Sequence, residues 1–108
     1  MIAPDFPEPL EDSSAKEGQP HELICRVTGQ PPPHVSWFKN GVCVDTCRDY
    51  SMSVSEAGVC TLGFQEVFIE DQAEFTCRAV NPVGDADTTA KLQVEREHFG
   101  PSVQFVGQ

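Results

Sequence analysis

Five cysteines carry most of the chemistry available to this chain: Cys25, Cys43, Cys47, Cys60 and Cys77. A thiol can pair with another, ligate a soft metal or attack an electrophile, and each use leaves its own spacing. A zinc site would draw on Cys43-x-x-x-Cys47 and Cys60. His34 is then the one candidate for the fourth ligand that a structural zinc needs, so the set is poor. A nucleophilic cysteine needs a histidine held by an acid. No such pair is recognisable, and His21, His34 and His98 read as surface residues. No catalytic residue, metal or cofactor is expected. The acids Glu8, Glu11 and Asp12, and Asp85 and Asp87, lack a dense calcium-loop pattern and read as a solvated face.

The bulk numbers set the frame. A chain of 108 residues is expected to form one domain, large enough to bury a core without a metal. The net charge of −10 argues against nucleic acid and anionic membranes as partners, since both select Lys and Arg. No apolar run approaches the length of a membrane span, and Met1-Ile2-Ala3-Pro4-Asp5 is no secretory leader. An odd cysteine count and the absence of an Asn-x-Ser/Thr site lean towards a reducing, cytoplasmic setting. The chain reads as a piece of a longer protein.

The elements that must position the thiols alternate apolar and polar residues. Leu23, Cys25 and Val27 share one face of a strand, as do Val35 and Trp37, and Phe75, Cys77 and Ala79. Pro4 to Leu10 is proline-rich and suits an edge strand. Ser13 to Glu17 is expected to run beside the last strand. Strands are predicted over Pro20 to Thr28, His34 to Lys39 and Val42 to Thr46. Asn40-Gly41 provides the hairpin turn between the last two. Tyr50, Met52 and Val54 form the next strand, and Cys60, Leu62 and Phe64 share an inward face. Ala73 to Val80 and Ala86 to Glu95 complete the set, with Leu92 and Val94 inward.

Two cysteines on separate strands with a tryptophan between them mark an immunoglobulin sandwich. The stretch Gly29-Gln30-Pro31-Pro32-Pro33-His34-Val35-Ser36-Trp37-Phe38-Lys39-Asn40-Gly41 resembles the B-to-C′ segment of I-set immunoglobulin domains. Leu62-x-Phe64, Val67 and Asp71-x-Ala73-x-Phe75-x-Cys77 resemble its E-to-F segment, and Asn81-Pro82-Val83-Gly84 its F–G turn. The resemblance covers Pro4 to Val94. It implies an all-β, Greek-key sandwich of two antiparallel sheets over 1–95, with 96–108 left as a linker or tail. Trp37, Leu62, Phe64 and Phe75 would fill its core. Phe75 stands where the family has a tyrosine that ties down the E–F corner. That hydrogen bond is expected to be missing, at about 1 kcal/mol.

The resemblance places Cys25 and Cys77 where an inter-sheet disulfide would lie; in a reducing setting they are equally two buried thiols. For the rest, the hairpin register sets His34 level with Cys47. Cys60 points inward, near the end where the strand of His34 begins. Cys47–Cys60 is then the leading pair and Cys43–Cys60 its rival, with one thiol left for exchange. The alternative is that all three are inert buried thiols. Intracellular I-set domains with extra cysteines are similar to those of giant muscle proteins, of the elastic I-band above all. The resemblance implies a non-enzymatic, monomeric link that bears tension between neighbouring domains of a tandem array. The rival reading is a recognition module of a cytoskeletal, kinase-linked or cell-adhesion protein.

Overall fold

The computed structural model describes residues 1–96. The linker or tail expected over 96–108 lies, from residue 97 onward, outside them. Among the described residues, nine strands form two sheets: β1 (Ile2–Glu8), β2 (Ser13–Lys16), β3 (His21–Gln30), β4 (His34–Lys39), β5 (Val42–Cys43), β6 (Tyr50–Val54), β7 (Val59–Phe64), β8 (Ala73–Asn81) and β9 (Gly84–Glu95). One sheet runs β1-β3-β7-β6 and the other β2-β9-β8-β4-β5. All pairs are antiparallel except β2 with β9, which is parallel. A 3-10 turn, Ile69–Asp71, makes the corner between β7 and β8.

The period-two pattern decides which side chains meet between the sheets. On β3, Leu23, Cys25 and Val27 are buried while Glu22 and Ile24 are exposed. On β7, Cys60, Leu62 and Phe64 are buried. Trp37, Phe75, Cys77, Leu92 and Val94 close the core from the other sheet. Phe64, Phe75 and Tyr50 stack edge to face, with ring centroids 5.0–6.2 Å apart.

β1 shows how proline shapes an edge. Its residues meet β3 only at Ile2↔Gln30, Asp5↔Thr28 and Glu8↔Arg26, with a slip between each pair. Pro4 and Pro7 fall between those contacts, where a missing N–H breaks nothing.

β5 is shorter than the strand expected over Val42 to Thr46. Val44 donates the last backbone bond, to Trp37 O at 3.0 Å, and Cys47 N–H then turns back to Val44 O at 2.9 Å. Beyond that point a side chain takes over, as Trp37 N–H donates to Asp45 Oδ1 at 2.8 Å. The aspartate meets the strand's hydrogen-bonding need locally, so the ladder stops.

The E–F corner is tied down after all, from a different strand. Asp71 is 6% exposed, and its Oδ1 accepts the Tyr50 hydroxyl at 2.7 Å. Its Oδ2 accepts Phe68 N–H at 2.8 Å. Lys39 Nζ stands 3.8 Å away. The hydroxyl absent at Phe75 is therefore supplied by Tyr50, whose ring packs edge-on against Phe75.

Candidate functional site

Three strands deliver three sulfurs to one point. Cys25 lies opposite Cys60 in the β3–β7 register, and Cys77 lies opposite Trp37 in the β4–β8 register. Alternation turns Cys25 and Cys60 inward from one sheet and Cys77 inward from the other. The three Sγ atoms all lie within 4.8 Å of one another. Cys25 is 2% exposed, and Cys60 and Cys77 are fully buried. Trp37, 1% exposed, belongs to the same core, and its Nε1 has no hydrogen-bond partner among the described residues.

Mutual hydrogen bonding splits the acidities of the trio. The bond with Cys60 pushes the Cys25 thiol up to about 12, and burial adds to this. Cys77 is pushed up as well, by hydrogen bonds with Cys25 and Cys60 and then by burial. Cys60, the shared acceptor, is pulled down by its hydrogen bonds with Cys25 and then Cys77, against its burial. Cys60 Sγ also stands 3.5 Å from the Gly58 carbonyl, the geometry of a protonated S–H donor. A bare thiolate buried without a cation is costly. The resting cluster is therefore three thiols, with Cys60 the most acidic of them.

The other two cysteines stand apart. Cys43 is exposed on β5, opposite Phe38 at the edge of the second sheet. Cys47 is half-buried, with Sγ 3.7 Å from Asp49 Oδ2. It precedes Tyr50, which pairs with Phe64, whereas Cys60 pairs with Val54 at the other end of β7. Four strand steps, ~13 Å, separate those levels. The structure thus does not bring Cys60 to Cys47 or to Cys43. The register argument failed because β5 ends at Cys43 and never carries residue 47 alongside His34. The zinc set is not assembled either: Cys60 is in the core, while His34 and Cys43 are exposed.

The signal for the trio was present in the sequence. Leu23 and Cys25 share a face, as do Leu62 and Cys60, and antiparallel pairing of those two faces sets Cys60 against Cys25. The link from Tyr50 to Asp71 left no comparable trace, since it joins positions 21 residues apart through a corner.

Similarity to known proteins agrees with the geometry. The profile of the immunoglobulin I-set domain matches residues 4–94. The chain belongs to the immunoglobulin I-set family. Among relatives, turkey telokin is 38% identical over 94 residues, covering 87% of this chain and 61% of telokin. Mouse myosin-binding protein H is 36% identical over 93 residues, covering 86% of this chain and 19% of that protein. The I-set chain thus spans about three fifths of telokin and a much smaller share of the larger relatives. Of solved structures, the titin M3 domain superposes with a TM-score of 0.84 at 28% identity, covering 89% of this chain and all of that one. A chimeric titin Z1Z2 structure gives the same score at 31% identity, covering 88% and 96%. This I-set domain is therefore of the kind found in muscle proteins. Among the described residues no helix is long and apolar enough to cross a membrane.

Proposed function

We propose that the chain is a non-enzymatic, load-bearing link between neighbouring immunoglobulin domains of a sarcomeric protein, in the cytoplasm. The placement of its two ends supports this most. Ile2 pairs with Gln30, and Ala3 packs beside Gly84, at the start of β9. Glu95, at the far end of β9, pairs with Lys16. A pull on the two ends draws β2 and β9 in opposite directions along their length. Four register pairs, Ser13↔Leu92 to Lys16↔Glu95, then bear load together, joined by Glu17 N–H donating to Glu95 O at 2.8 Å. Resemblance to elastic I-band domains favours that part of the sarcomere.

The thiol trio adds a means of tuning reach. A bridge hides the chain between its cysteines when the domain unfolds. Cys60–Cys77 would hide about 17 residue steps, roughly 60 Å at ~3.5 Å each. Cys25–Cys60 would hide about 35 steps, roughly 120 Å, and Cys25–Cys77 about 52, roughly 180 Å. Forming the first bridge takes a disulfide oxidant such as oxidised glutathione, reduced in turn to its thiol. Afterwards the third cysteine's thiolate can attack the bridge, displacing one sulfur as the new thiolate, with no net oxidation.

Pulling a tandem of copies, with and without oxidised glutathione, tests both parts. The expected record is a cooperative unfolding peak whose extension shortens by one of those three lengths after oxidation. An unchanged extension, with peptide mapping finding no bridge inside the trio, would remove the tuning. Unfolding without a resolvable force peak would remove the load-bearing role. A second reading is a recognition module. Solved neighbours include titin domains complexed with telethonin and with obscurin-like 1, and β6 leaves one edge unpaired among the described residues.

A further inference from the structure

From the three core sulfurs we infer a site for a soft, three-coordinate, thiophilic ion, best filled by trivalent arsenic supplied as arsenite. The inference does not depend on whether the chain bears load. It rests on the Sγ atoms of Cys25, Cys60 and Cys77 meeting within 4.8 Å, contributed by both sheets.

Size comes first. A central atom bonded to sulfur at about 2.3 Å holds three sulfurs at most about 4 Å apart. Sulfurs already within 4.8 Å need only small side-chain adjustments to close on such an atom.

Charge then selects the ion. Zinc with three thiolates leaves one net negative charge and an empty fourth position, and among the described residues no histidine or carboxylate joins the trio to fill it. Copper(I) with three thiolates leaves two negative charges in a core where, among the described residues, no Lys or Arg is buried. Trivalent arsenic with three thiolates is neutral and wants no fourth ligand, which suits the apolar core that the trio shares with Trp37, Leu62 and Phe75.

The reaction balances without an oxidant. Three As–OH bonds of arsenous acid break and three As–S bonds form. Each thiol proton leaves with one hydroxide as water, and arsenic stays trivalent. Because the sulfurs are buried, arsenite must wait for the core to open, so loading is slow and follows the opening rate. Any disulfide within the trio removes two of the three ligands and abolishes the site.

The test uses the full reduced chain incubated with arsenite, under native conditions and also during refolding. Native mass spectrometry is expected to find one arsenic added and three protons lost. X-ray absorption at arsenic should show three sulfur neighbours and no oxygen. Thermal unfolding should shift upward, since the preassembled trio binds arsenic more tightly than the separated thiols of the unfolded chain. Oxidation beforehand should prevent uptake. Cys60→Ser should cut retention at least tenfold, and Cys60→Ala, with folding confirmed by circular dichroism, should do the same. The double variant Cys43→Ser/Cys47→Ser should bind like the parent. The site is overturned if the reduced protein takes up no arsenic by either route. It is equally overturned if uptake survives loss of Cys60, or disappears with Cys43 and Cys47.

Discussion

At the scale of single residues, Tyr50 and Asp71 show how one lost hydroxyl is replaced. The Tyr50 hydroxyl lies 2.7 Å from Asp71 Oδ1, so burial and then that hydrogen bond raise the Tyr50 pKa. A phenol whose folded pKa is raised favours folding in its neutral form. Its contribution is fully present below the unfolded value of about 10 and is lost as pH rises beyond it. Tyr50→Phe is expected to destabilise the domain by about 1–2 kcal/mol at neutral pH, the scale of a hydrogen bond to a carboxylate. The variant should also lose part of the alkaline fall in stability. Urea unfolding at pH 7 and at pH 11 checks both, and equal losses at the two pH values would contradict the linkage. Other single residues act as hubs. The Asn81 amide donates to Ile2 O and Pro31 O at 2.9 and 3.1 Å, and its oxygen accepts the N–H groups of Val83 and Gly84.

At the scale of elements, the turn between β6 and β7 is the most exacting. Gly58 has φ +86°, and a Cβ there would press into the backbone carbonyl of Val27. That approach is used: Val27 N–H donates to Gly58 O at 2.9 Å. Gly58→Ala is expected to cost about 2–4 kcal/mol, combining left-handed strain with displacement of β3. A denaturant midpoint close to the parent's would refute this. Much of the element layout was legible in sequence because alternation and turn chemistry are local. Asn40-Gly41, the Cys60-Leu62-Phe64 face and the pairing of Ser13 to Glu17 with the last strand all match. The end of β5 was not legible, because Asp45 competes for Trp37 N–H only once the two are folded together. Cys60 was given the wrong partners for a related reason. The sequence shows which way Cys60 faces, but its partner depends on the registers of two sheets at once.

At the scale of the whole molecule, both ends of the fold are tied to β9, at its start through Ala3 and at its finish through Lys16. Replacing Glu17 by proline deletes the donor to Glu95 O at the mouth of the β2–β9 pair. If that pair takes the load, the mean unfolding force of a tandem should fall by about a quarter or more, while chemical stability drops by about 1 kcal/mol. A force unchanged within error would place the resistance elsewhere. The slipped register of β1 bears on a separate hazard. A straight, fully bonded edge would invite the same strand of an adjacent copy to zip onto it. Prolines at positions 4 and 7 give that border an irregular outline that an identical strand cannot match. Where like domains stand end to end and repeatedly lose and regain their shape, such a border helps each copy find its own partners rather than its neighbour's.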